Sequence, residues 1–258
     1  MTARDIEQSN LQQVQDLNQR GGRTLSVVDL IEANTLSLEM AAYLLCKVSG
    51  GASFLTAARP GGAGKTTLLA CLLSFLKPGT RIVTVSDSSR LRPVPADPEK
   101  PSCYLAHEIG SGHYYGYIWN EDVTRLLELR ERGHIVASCL HADTLPELTS
   151  ILTQDLRVPE SLLSRVGFLL FMHIDRRSLS YRRRVTTVYE AAEDSSGKRG
   201  HTLLYQWEPS SDTFSALYKP NADADEISRA KELLGELIKD DVRDFSQVRA
   251  RIAEFLMS

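Results

Sequence analysis

The stretch ARPGGAGKTTLL, residues 58–69, decides how this chain is read. Gly64, Lys65 and Thr66 complete the pattern G-x-x-x-x-G-K-[ST]. In that pattern a glycine-rich turn presents successive backbone N–H groups to phosphate oxygens at a helix N-terminus. Lys65 is the residue that reaches terminal phosphates, and the Thr66 hydroxyl is the one that ligates Mg2+. The pattern's opening glycine is replaced by Arg59. Because Pro60 follows, Arg59 is steered toward extended backbone, which arginine tolerates. A left-handed requirement there would cost about 1–2 kcal/mol. Pro60, Gly61, Gly62, Ala63, Gly64, Lys65, Thr66 and Thr67 are therefore the candidate residues for binding a nucleoside triphosphate, ATP with Mg2+.

The surroundings supply the context this loop needs. ASFLTAA, residues 52–58, is a short apolar strand that runs directly into it. KTTLLACLLSFL, residues 65–76, is apolar almost all round and predicts a buried helix, broken at Pro78-Gly79. RIVTVSD, residues 81–87, predicts a second buried strand. Strand, loop, helix and strand imply a right-handed crossover and a parallel sheet. Further strands are expected in CYLAHEI, YYGYIW, HIVASCLH, GFLLFMHI, RRVTTVYEA and LLYQWE. Helices are expected in NLQQVQDLNQR, in the run capped by Ser37, and in NEDVTRLLELRERG, TLPELTSILTQDL, PESLLSRV and the stretch from Asp223 onward. Residues 88–102, rich in proline, predict a loop.

The chain has 258 residues, 42% hydrophobic and 24% charged, with a formal net charge of -3. One large domain with small appendages is the natural reading. The negative balance disfavours nucleic acid as a partner. Cys46, Cys71, Cys103 and Cys139 form no C-x-x-C pair and read as buried thiols rather than zinc ligands. The first ten residues lack the apolar core of a signal peptide, and no apolar run is long enough to span a membrane. His107, His113 and His134 show no metal-ligand spacing.

Beyond the loop, the chain resembles the ATPases of type II and type IV secretion and pilus assembly. LSLEMAAYLLCKVSGGASFLTAARPGGAGKTTLL is similar to that family's lead-in. RIVTVSDSSRL resembles its aspartate box, with Asp87 at the acidic place and Ser86 where a glutamate usually stands. GHIVASCLHADTLPELTSIL resembles its histidine box, with His141 in the histidine position. The resemblance, over residues 30–258, implies an α/β fold: a three-layer RecA-like P-loop core with a mainly parallel sheet over residues 36–220. A short N-terminal helical segment, 1–35, and C-terminal helices, 221–258, flank it. It also implies a cytoplasmic subunit of a homo-oligomer, a hexamer, working beside membrane-machine proteins without itself inserting.

The resemblance also raises a question about the catalytic acid. Counting back from Gly133-His134 by the family's spacing puts Gly116 in a glycine position and Tyr117 where a glutamate belongs. A phenol is a poor base at neutral pH. Asp87 and Glu108 are the candidate acids: Asp87 ends a strand expected at the ligand crevice, and Glu108 ends CYLAHE, which has the shape of a Walker B strand. Asp87 is also a candidate metal ligand, and His141 a candidate sensor of the terminal phosphate. Glu121 and Asp122 read better as acids at a helix N-terminus. The basic run around Arg176, Arg177, Arg182, Arg183 and Arg184 reads as a solvated face or a partner surface. Three functions stay open: an ATP-hydrolysing motor subunit, a nucleotide-binding subunit without hydrolysis, and a small-molecule P-loop kinase.

Overall fold

The computed structural model describes residues 2–18, 21–92, 94–97, 99–112, 114–176, 181–218 and 221–258. Its helices are α1 (Ala3–Leu17), α2 (Val27–Glu32), α3 (Leu38–Ser49), α4 (Lys65–Leu73), α5 (Glu121–Glu128), α6 (Leu145–Ser150), α7 (Glu160–Leu163), α8 (Ala224–Lys239) and α9 (Phe245–Phe255). Its strands are β1 (Phe54–Ala57), β2 (Ile82–Thr84), β3 (Cys103–Leu105), β4 (Glu108–Ile109), β5 (Tyr117–Ile118), β6 (Ile135–Leu140), β7 (Phe168–Asp175), β8 (Arg182–Glu193), β9 (Arg199–Glu208) and β10 (Thr213–Ala216).

The strands form one sheet in the order β10-β9-β8-β7-β1-β6-β3-β2, with β4 joined to β6 and β5 to β4. From β2 to β7 every pairing is parallel. From β7 outward it is antiparallel. The expected mainly parallel sheet is thus parallel only on the loop side. The strands after β7 follow one another without an intervening helix, so they return as antiparallel neighbours, whereas a parallel return needs a long crossover.

Strand β1 lies at the centre of the parallel half and is buried at all four positions. Phe54 packs into an apolar cluster with α1, α3, α4, α8 and α9, while Leu55 packs into a second one with α5, α6 and α7. Helices therefore cover both faces in three layers, which is why the strand reads as a continuous apolar run rather than an alternating one. The N-terminal and C-terminal helices share their cluster with α3 and α4 rather than building cores of their own. Ser37 caps α3 as expected, accepting from the Met40 N–H at 3.1 Å. CYLAHEI, expected as one strand, divides into β3 and β4. The break falls where the His107 N–H turns aside to the Gly116 carbonyl at 2.7 Å.

Two polar clamps hold these layers together. Arg249, buried on α9, reaches both carboxylate oxygens of Glu7 on α1 at 2.7 and 2.9 Å, and the carbonyls of Ser74 and Leu76 at 3.0 and 2.6 Å. Arg184, equally buried, grips Asp212 through two bonds at 2.7 and 2.8 Å, and also donates to the Ala33 carbonyl. Arg184 is therefore a structural residue and not part of a solvated basic face. Its guanidinium first, and then the Trp207 N–H, hold the Asp212 carboxyl well below the usual carboxylate range.

Removing the first clamp by Arg249→Leu strands a carboxylate and two buried carbonyls. A loss of about 3 kcal/mol is expected, read from the urea unfolding midpoint; an unchanged midpoint would show that α1 and α9 dock without it. The second clamp sets a pH dependence. A depressed folded-state pKa at Asp212 contributes stability that is present above the unfolded value near 4 and lost as pH falls below it. The unfolding midpoint of the native chain is expected to drop on acidification from pH 5 to pH 3 by more than that of Asp212→Asn.

Candidate functional site

The site forms where β1 turns into α4. Gly64 is left-handed, with φ +101°, and Gly62 with φ +82°. A Cβ on Gly64 would sit 3.1 Å from the Met172 methyl carbon and 3.3 Å from Arg183 Cδ, so the turn needs glycine for both its angle and its space. Arg59 is not among the left-handed residues, and no strain attaches to its substitution. Instead it straps the loop to the chain after β6. Its N–H donates to Asp143 at 2.7 Å, its carbonyl faces His141 Nδ1 at 2.8 Å, and its guanidinium pairs with Glu147. Thr56 on β1 donates to the Lys65 carbonyl at 3.1 Å and fixes the start of α4.

Lys65 is buried, and its ammonium donates to the Ala58 carbonyl at 3.0 Å. It lies 3.4 Å from His141 Nδ1. The other ring nitrogen of His141, Nε2, lies 3.2 Å from Glu108 Oε1. Lysine, histidine and carboxylate thus line up across the mouth of the loop. Glu108 also stands opposite Tyr117 in the β4–β5 pair. Burial, and then the adjoining Glu108 carboxylate, push the Tyr117 phenol up to about 12, so it remains a hydrogen-bond donor beside the acid. The acid that meets the lysine–histidine pair is Glu108, and Tyr117 is its neighbour. The count-back lands on Tyr117, which stands directly across the β4–β5 pair from Glu108.

Asp87 is not brought into this group. It follows β2, three strands away from β1, a lateral distance of about 14 Å at ordinary strand spacing. Its exposed carboxylate accepts from Ser86 and from the backbone and hydroxyl of Ser89, chiefly the Ser89 hydroxyl, which hold its pKa down. Glu121 and Asp122 both pair with Arg125 within α5, each at 2.9 Å. Arg177 and His113 lie outside the described residues.

The loop faces a cavity of 820 Å3, in the range of nucleotide-sized sites. Residues 61–67, His107, Glu108, Tyr117 and His141 line it. Val14, Leu17 and residues 23–25 of the N-terminal segment line it too. Two arginines missed as site residues by the sequence reading touch the loop itself. Arg183 Nε donates to the Gly62 carbonyl and Arg176 to the Gly61 carbonyl, both at 2.8 Å. Arg176 directly follows β7 and Arg183 lies on β8, and the antiparallel pairing of β8 with β7, itself next to β1, brings both cations to the loop. Among the described residues no group of three or more His, Cys, Asp or Glu side chains could hold a metal alone. A cation here fits only with phosphate oxygens beside it, and Thr66 and Glu108 both line the cavity.

No family profile matches the chain. It is 26% identical over 255 aligned positions to the uncharacterized protein MJ0900 of Methanocaldococcus jannaschii, covering 91% of this chain and 46% of that protein. The chain therefore spans about half the length of the curated relative it matches. Among solved structures it aligns with the Legionella pneumophila ATPase DotB at 15% identity and a TM-score of 0.35, covering 87% of this chain and 58% of that one.

Gly64→Ala adds a side chain where both the backbone angle and the space oppose it. The turn is expected to lose about 1–2 kcal/mol. Binding of a fluorescent nucleoside triphosphate should weaken while the far-ultraviolet circular dichroism spectrum is retained; unchanged affinity would show that the turn does not hold the ligand.

Proposed function

We propose that the cavity binds a nucleoside triphosphate, ATP, with a divalent cation, and that the chain hydrolyses it as an ATPase-like subunit. The observation that carries this reading is the line from Lys65 through His141 to Glu108 across the start of α4. Backbone N–H groups of residues 61–66 and the Lys65 ammonium hold the phosphates, with the positive end of α4 behind them. Pro60 and Thr67 bound the cradle. The Lys65 ammonium exchanges the Ala58 carbonyl for a phosphate oxygen. The Thr66 hydroxyl holds the cation, which when bound neutralises charge on the terminal phosphates.

Glu108 orients the attacking water and takes its proton as the water oxygen bonds to the terminal phosphorus and the bridging P–O bond breaks. His141, between Glu108 and the loop, responds to the presence of that terminal phosphate. Asp87 enters this scheme only if a movement carries it across the sheet; its fit is poorer than that of Glu108. Arg176 and Arg183 stand close enough to the loop to offset charge that builds on the phosphates.

The sequence resemblance extends the proposal to a hexameric, cytoplasmic subunit that couples nucleotide turnover to work in a secretion- or pilus-type machine. No described helix is long and apolar enough to cross a membrane.

Lys65→Ala is expected to weaken triphosphate binding at least about tenfold, a 1.4 kcal/mol loss. Glu108→Gln should keep binding but lower phosphate release by about 10²–10⁴. Tight binding with no phosphate release from the assembled native chain would replace this reading with that of a nucleotide-binding subunit that does not hydrolyse. Transfer of the phosphate to a metabolite instead of to water would make the chain a kinase.

A further inference from the structure

His141 stands between two hydrogen-bond acceptors, and the geometry fixes where its hydrogens lie. Its Nδ1 is 2.8 Å from the Arg59 carbonyl. A contact that short between two electronegative atoms contains a hydrogen, and a carbonyl carries none, so Nδ1 is the donor. The Lys65 ammonium, 3.4 Å from the same nitrogen, has only hydrogens to offer and cannot accept one. A ring with a single hydrogen therefore keeps its lone pair on Nε2. Nε2 faces Glu108 Oε1 at 3.2 Å, within the reach over which a proton passes from a carboxylic acid to an imidazole.

Arg59 is itself held for this task. Its guanidinium pairs with Glu147, its N–H donates to Asp143, and the second oxygen of Glu147 accepts from the Asp143 N–H at 2.8 Å. The Asp143 N–H first, and with it the Arg59 guanidinium, hold the Glu147 carboxyl below the usual carboxylate range, so the clamp keeps its charge. Glu108 and His141 differ in their access to water, their side chains being 13% and 49% exposed. A proton on Glu108 is enclosed in the cavity that the nucleotide fills, whereas a proton on His141 has a path to solvent.

We propose that His141 takes over the proton that Glu108 removes from the attacking water and hands it to solvent, with Arg59 as the positioning residue that readies its ring. This rests on the hydrolysis reading above. Water gives its proton to Glu108 as its oxygen bonds to the terminal phosphorus and the bridging P–O bond breaks. Glu108 passes that proton to Nε2 and returns to carboxylate, while Nδ1–H stays on the Arg59 carbonyl. The imidazolium then releases the Nε2 proton to bulk water, and both groups are reset. A glycine at position 59 would keep the carbonyl but lose the guanidinium clamp that holds it against the ring, so the departure from the loop pattern serves the relay.

The test reads phosphate release from the full chain at saturating ATP and Mg2+. His141→Ala is expected to lower kcat about 10²-fold. Imidazole in the buffer should restore part of that loss, because the ring it replaces is half exposed, and across substituted imidazoles the recovered rate should rise with basicity. A side chain that only sensed phosphate or supported the fold is not replaced by a free base. Arg59→Gly should also lower kcat, and adding it to His141→Ala should lower kcat no further. In the ligand-free chain labelled with 15N-histidine, magnetic resonance at about pH 8.5, above the ordinary histidine range, should show the Nδ1–H tautomer at His141, and a mixture of tautomers in Arg59→Gly. If the native chain hydrolyses ATP in a Lys65-dependent way but imidazole restores nothing, the two substitutions act additively, or the Nε2–H tautomer is found, this inference fails and the hydrolysis reading stands. If the native chain releases no phosphate, both fall.

Discussion

Two left-handed glycines, Gly62 and Gly64, carry a fully buried strand into a buried helix, and the geometry of the candidate site depends on that turn. With β1 held between β6 and β7, and α4 locked by the Thr56 hydroxyl, the loop between them cannot relax into the core. Lys65 has to enter at the rim with its stem buried and its ammonium on a loop carbonyl. A buried ammonium with so few partners is costly unless it serves an anion. Arg183 and Arg176 bring two further cations to carbonyls of the same loop. That concentration of positive charge beside a helix N-terminus, on a chain of net charge -3, is a local feature that the overall balance hides.

The two halves of the sheet contribute differently. The parallel half brings chain segments to one rim: the loop after β1, Glu108 after β3, and His141 after β6. The rule that ligands gather at the carboxyl ends of parallel strands applies here strand by strand. It does not apply equally to every strand, because lateral order decides reach. Glu108 arrives beside β6, next to β1, whereas Asp87 leaves from the far edge. The antiparallel half supplies the arginines, and its turn between β9 and β10 supplies Asp212, which fixes Arg184 and frees Arg183 to face the loop.

Substitutions that look like losses become coherent in three dimensions. Arg59, in place of a glycine, is a three-point strap to His141, Asp143 and Glu147. Tyr117 is the neighbour of the acid. Gly116 is the space that the His107 ring occupies. Arg59 and Tyr117 are read from sequence as departures from a pattern, and Gly116 as a match to it, because a pattern counts positions along the chain and cannot count them across a sheet.

From residues alone, local rules were sufficient for much of the molecule. The loop and its flanking strand and helix, the Ser37 cap, the burial of α4, and the strand character of residues 135–140 and 168–174 follow from hydrophobic period, glycine placement and side-chain capping, all of which act within a few residues. Four things needed the folded chain. The antiparallel half of the sheet depended on which strands pair. The placement of Glu108 at the mouth of the loop, and of Asp87 away from it, depended on strand order. The split of Arg182, Arg183 and Arg184 into an exposed, a loop-facing and a buried residue depended on what covers each side of β8. The isolation of His107 depended on every group that packs around it. Their energy comes from contacts beyond the reach of local capping and periodicity rules: Asp212 holds Arg184 from 28 positions away, and Arg183 meets Gly62 from 121.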